Sequence, residues 1–174
     1  MLMHTLYEGD PTDRMTAAVA LLAPGRSWWL HASGLAQAIE QLRQDALALE
    51  AHMTAMGLGR LCSECASRPG GGCCSAYMAG NTDAIQMLIN LLLGIEFSPR
   101  DIVDENCRFL GERGCLFLIK PIFCLNYLCT HITNAATTEN LHNLHRLSAA
   151  VLGGQTRIET VIIDRWRRQG AGGT

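Results

Sequence analysis

The run LAQAIEQLRQDALALEAHMTAM, residues 35–56, decides the class of fold. Leu35, Ile39, Leu42, Ala46, Leu49, Met53 and Met56 follow one another at steps of 4, 3, 4, 3, 4 and 3, with Gln41, Arg43, Gln44, Asp45 and Glu50 between them. At 3.6 residues per turn this spacing draws one apolar stripe along a polar rod, which strand alternation does not produce. A stripe of this kind has to be buried, so the segment reads as an amphipathic helix facing a core. Three heptads are too few for an independent coiled coil, and Gly57 and Gly59 stop the pattern.

A second stripe of the same spacing runs through Leu141, Leu144, Ser148, Val151, Gln155, Ile158, Ile162 and Arg165, with Thr137-Thr138-Glu139-Asn140 as its capping region. Gly153 and Gly154 interrupt it at about 1 kcal/mol each relative to alanine, so a kink or a split into two helices is expected. Arg165-Trp166-Arg167-Arg168 places cations in the last turn, where they suit the helix dipole. Upstream, Pro11-Thr12-Asp13 starts a short helix that Pro24-Gly25 ends, and one of Trp28 and Trp29 is expected to cover the edge of the core. Gly80-Asn81-Thr82-Asp83 caps a helix over residues 84–94 that is apolar nearly all round and therefore central. The one strand candidate is Cys115-Leu116-Phe117-Leu118-Ile119, closed by Pro121.

These elements predict a mainly α protein. A chain of 174 residues suits one domain and one core, and at that size about 70% of the unfolded surface can be buried without a metal or disulfide to compensate. With 48% apolar and 17% charged residues the chain is not disordered. Its 14 Lys+Arg against 16 Asp+Glu exclude nucleic-acid binding driven by bulk charge. The first residues carry neither a basic region nor a long apolar run, and apolar stretches elsewhere fall short of the about 20 residues that span a bilayer. A cytoplasmic protein without membrane contact is the expectation, and the helical flanks are the surfaces for a protein partner or a homodimer.

Eight cysteines, all between Cys62 and Cys129, are the anomaly. In a reducing compartment such a cluster points to metal binding or catalysis rather than disulfides. Flanks 1–60 and 132–174 thus form a helical scaffold around a cysteine-rich, loop-dominated metal-binding segment, 61–131. Within it, Cys62-x2-Cys65 puts two sulfurs on one tight turn, within reach of a single ion, and Pro69-Gly70-Gly71-Gly72 lets the chain fold back with Cys73-Cys74. Adjacent cysteines usually point apart, so one of Cys73 and Cys74 serves another centre or packs nearby, and Cys74 is the expected spare. Cys107, Cys115, Cys124 and Cys129 are spaced too widely for a zinc finger or a ferredoxin run, but suit a site assembled from loops. Among the histidines only His131 is placed to replace a thiolate, while His142 and His145 share a polar helix face.

Cys62-x2-Cys65, Cys73-Cys74, Cys107-Arg108-Phe109-Leu110, Cys115, Lys120-Pro121, Cys124 and Cys129 together resemble the YkgJ-like cysteine-cluster family, a zinc- or iron-chelating domain to which flagellin lysine N-methylases are related. The resemblance spans about residues 60–130 and uses all eight cysteines in order; lysine stands where the family usually has arginine before the proline. It implies metal chelation by Cys62, Cys65, Cys73, Cys74, Cys107, Cys115, Cys124 and Cys129 in one or two all-cysteine centres. Thiolates suit an iron–sulfur cluster or zinc and disfavour magnesium, calcium or manganese; the kinship to the N-methylases tips the expectation toward iron–sulfur. Arg60, Arg68, Arg108, Arg113 and Lys120 are the cations placed to offset the thiolate charge. Two other roles stand beside plain metal binding: an iron–sulfur-dependent redox or protein-modifying enzyme, and a structural zinc module that docks a partner.

Overall fold

The computed structural model describes residues 6–32, 34–66, 72, 74–96, 107, 109–111, 114–126 and 128–171. Helix α1 (Pro11–Leu22) starts where the proline predicts. Asp10 accepts from the Thr12 and Asp13 amides at 2.6 and 3.0 Å, and the Asp13 carboxylate takes the Asp10 amide in return at 3.3 Å, closing a capping box. Gly25, at φ +96°, turns the chain into α2 (Arg26–Leu30). There Trp29 is 1% exposed and its indole N–H donates to Leu21 O at 2.8 Å, so Trp29 is the tryptophan that closes the core edge.

The frame is a pair of long helices, α3 (Leu35–Ala55) and α9 (Thr138–Ala171), in the most extensive helix contact of the fold. The two stripes bury each other: Leu35, Ile39, Leu42, Ala46 and Leu49 from one, Leu144, Ser148, Val151, Ile158 and Ile162 from the other. Helix α9 is continuous for 34 residues, without the break expected at Gly153-Gly154. The reason is packing. A Cβ on Gly154 would lie 3.0 Å from Leu42 Cδ1, so the missing side chain lets the helices close up, and that contact outweighs the low helix propensity. Of the terminal cations, Arg165 is drawn inward: its guanidinium lies 3.8 Å over the Trp28 ring and donates to Trp28 O at 2.9 Å.

Three helices follow α3 in sequence. They are α4 (Leu58–Ala66), the single turn α5 (Ala76–Ala79), and α6 (Ala84–Leu92), the central helix, against which α1 and α9 pack. Asp83 caps α6 by accepting from the Gln86 amide at 2.7 Å. Two amides, Gln86 and Asn90, are buried on this otherwise apolar helix. Beyond it, β1 (Leu110–Gly111) and β2 (Gly114–Cys115) form a short antiparallel hairpin with Leu110 opposite Cys115. The predicted strand over residues 115–119 is therefore mostly not a strand. After the Leu116 amide, which donates to Phe109 O at 2.8 Å, its backbone turns from the ladder to the side chains of α6. Phe109 and Phe117, both 1% exposed, stack at 4.4 Å beneath the hairpin. Short helices α7 (Ile122–Asn126) and α8 (Thr130–Ala135) lead into α9. No helix among the described residues is long and apolar enough to cross a membrane.

Candidate metal centre

Cys62 and Cys65 lie on α4 rather than on the expected tight turn. Gly57, at φ +71°, does end α3, but the chain re-enters a helix at once and Gly59 is inside it. Leu58 and Ala66 bury one side of α4, and the i, i+3 spacing still puts Cys62 and Cys65 on one face. The hairpin is seated on the start of this helix. A Cβ on Gly114 would come within 3.2 Å of Gly59 Cα, and the Ser63 hydroxyl donates to Gly111 O at 3.2 Å. Those contacts bring Cys115 of β2 beside α4.

The return of the chain after the glycine run also has a visible foothold. Gly72 is pressed against the end of α4, where a Cβ would meet Cys65 Sγ at 2.8 Å, so a larger residue there would have to push that sulfur aside. Two residues on, the Cys74 carbonyl accepts from the Cys107 amide at 3.3 Å, which joins the first cysteine group to the second.

The result is a cleft of about 1050 Å³ onto which Cys62, Cys74, Cys107, Cys115 and Cys124 all open, together with Met53, Met78 and an apolar wall that includes Phe109, Leu125 and Leu144. Cys65 lies along α4 beside Gly72, and Cys129 caps α8, which packs against α4. Cys73 falls outside the described residues, as do Arg68, Arg108 and Arg113. Cys74, the expected spare, is a cleft residue. No disulfide joins any of the seven described cysteines to another, and no three His, Cys, Asp or Glu side chains among the described residues are drawn together tightly enough to hold an ion. His131, His142 and His145 are exposed and do not line the cleft.

The donor set itself suits a thiophilic ion: five thiols and two thioethers face one cavity, and the one carboxylate among its described lining residues is Glu50. Burial pushes the Cys115 thiol up to about 11, with Cys107 and Glu50 adding to the rise, while Lys120 and the Phe117 amide pull it down. Lys120 is buried, and its ammonium donates to the Glu50 carboxylate. Its backbone neighbour is fixed from the core. The Ile119 amide donates to Asn90 Oδ1 at 2.9 Å, and Ile119 O accepts from Asn90 Nδ2 and Gln86 Nε2, each at 3.0 Å.

Sequence reading missed Glu50, which sat among the polar positions of a helix stripe, and the clamp on Ile119. The signal for the clamp was present: two amides at i, i+4 in an otherwise apolar helix mark buried polar groups that must have partners. No family model, no curated protein and no solved structure matches this chain.

Proposed function

We propose that this chain is a metal-binding protein of the YkgJ-like cysteine-cluster type, carrying one or two all-cysteine centres, with an iron–sulfur cluster preferred over zinc. The observation that supports this most is convergence. Cys62 and Cys124 belong to opposite ends of the cysteine segment, yet both open onto one cleft with Cys74, Cys107 and Cys115. Cysteines that merely filled a core would have no reason to share a cavity wall with a buried lysine. The ligands would come from these five, with Cys65, Cys73 and Cys129 completing the set. An iron–sulfur cluster would supply one-electron transfer, and zinc a structural cross-link.

The chain's own contribution is to hold sulfurs on helices α4 and α7 and on the hairpin, to keep water off one wall with Phe109 and Phe117, and to set a cation on the same cleft. Structural metal binding is coupled to folding, by on the order of 10 kcal/mol in small zinc domains, so the cysteine segment is expected to tighten when loaded.

Protein made and purified without oxygen tests the reading. Brown protein whose visible absorbance bleaches on reduction, with iron and sulfide in matched amounts, would establish the cluster. Colourless protein with stoichiometric zinc would assign the structural role. Folded protein that takes up neither metal would overturn the proposal. The enzyme reading draws on cleft size, since about 1050 Å³ matches the larger small-molecule sites and exceeds what an ion fills. Turnover that disappears together with the metal would favour it.

A further inference from the structure

Three charged side chains line the cleft among the described residues: Glu50, Arg60 and Lys120. Arg60 is a surface group, with 85% of its side chain exposed and its Nε 3.8 Å from Glu64. Lys120 is different in kind. Only 8% of its side chain is exposed, against 43% for Glu50, its partner. Burying an ammonium costs several kcal/mol unless it is paired, so the charge of Lys120 needs a partner at this position. Its place is also set from the core, because the residue before it makes three hydrogen bonds with Gln86 and Asn90 of the central helix. Cys107 and Cys115 line the same cleft as Lys120 and Glu50.

Four thiolates on a divalent ion leave a net dianion, and in a partly dry cleft that charge needs a cation nearby. We propose that Lys120 is the counter-charge of the cysteine centre, and that Glu50 competes with the thiolates for it. The inference rests on the metal-binding reading and adds the group that sets the strength of the site. Glu50 can turn toward water when thiolates form, since nearly half of its side chain already faces solvent, whereas Lys120 has no such exit.

Opposite signs test it. Zinc affinity of the reduced full-length chain is measured by competition with a chromophoric chelator, with circular dichroism and urea titration to confirm folding. Lys120→Met should weaken zinc binding by about tenfold or more, the usual cost of removing an outer partner of metal ligands. Lys120→Arg should stay close to the parent. Glu50→Gln should strengthen binding several-fold while making the metal-free chain less stable, because it leaves Lys120 unpaired until thiolates arrive. A pair with only a structural role would weaken binding from either side. Equal loss in Lys120→Met and Glu50→Gln, or no change in either, overturns the proposal. If Lys120→Met does not fold, Glu50→Gln and Lys120→Arg decide it alone. A parent chain that binds neither zinc nor iron overturns the metal-binding reading and this inference with it; a parent that binds while the variants are unmoved overturns this inference only.

Discussion

Asn90 uses both ends of its amide on the main chain of Ile119, and Gln86 adds a second donor to the same carbonyl. The two amides are therefore unequal. Asn90→Leu would leave the Ile119 N–H with no acceptor in a buried site and should cost about 2–3 kcal/mol in urea unfolding. Gln86→Leu should cost roughly half as much, because Asn90 still serves the carbonyl. Equal losses would mean that volume rather than hydrogen bonding decides. Asp83 offers a test by pH. Burial, with Glu159 nearby, holds its carboxyl above the usual range, against the opposing pull of the cap bond from Gln86 and the charge of Arg14. A raised folded-state pKa means that the group's contribution is complete below the unfolded value, about 3.9, and is lost as pH rises through the folded value. Asparagine caps helices as well as aspartate and carries no charge to desolvate. Asp83→Asn should thus match or exceed the parent in stability at pH 7, with the difference gone below about pH 4; urea midpoints across that range check it, and a loss at pH 7 would contradict it.

At the scale of elements, the two glycines of α9 should separate cleanly. A Cβ at Gly153 would meet only Arg157 at 3.5 Å, so Gly153→Ala should raise stability by up to about 1 kcal/mol through helix propensity. Gly154→Leu would wedge α9 from Leu42 and should cost about 1–3 kcal/mol. Thermal unfolding of the two variants reads both. That α9 survives its glycines was not legible in the sequence, because propensity is local and the Leu42 contact is not. The stripes of α3 and α9, the cap at Asp83 and the apolar α6 were legible, since each is a periodic or capping signal within one segment. The strand over residues 115–119 misled for a related reason: its alternation is real, but Asn90 and Gln86 supply the hydrogen bonds a neighbouring strand would have made. The C-x2-C spacing reads as a tight turn because two sulfurs three residues apart can reach one ion there, but the same spacing also puts them on one face of a helix, and Leu58–Ala66 is helical. Which cysteines share a cleft could not be read at all, because spacing along the chain does not encode the seat of the hairpin on α4. Serine at position 73 or 74 tests the adjacent pair. Loss of metal from Cys74→Ser is expected from its place on the cleft wall, and metal retained by that variant would return Cys74 to the role of a spare.

On the scale of the whole molecule, the core built from α3, α6 and α9 contains little that depends on the cysteines: Ile39, Leu49, Met87, Ile89, Val151 and Ile162 bury one another across three helices. If the cysteine centre holds a metal as proposed, stripping it under reducing conditions should therefore leave most of the helical circular dichroism in place while hydrogen exchange accelerates through residues 107–129. Slow exchange in that segment after metal removal would show that it needs no ion. The burial of Lys120 has one more consequence, for chemistry performed on the protein rather than by it. It is the single lysine in the sequence. Reagents that acylate side-chain amines thus have one target, and the fold keeps it under cover beside the sulfurs. A fluorophore or an isotopic acetyl group placed there would act as a built-in gauge of the cleft, slow to attach while the wall is closed and fast once it opens.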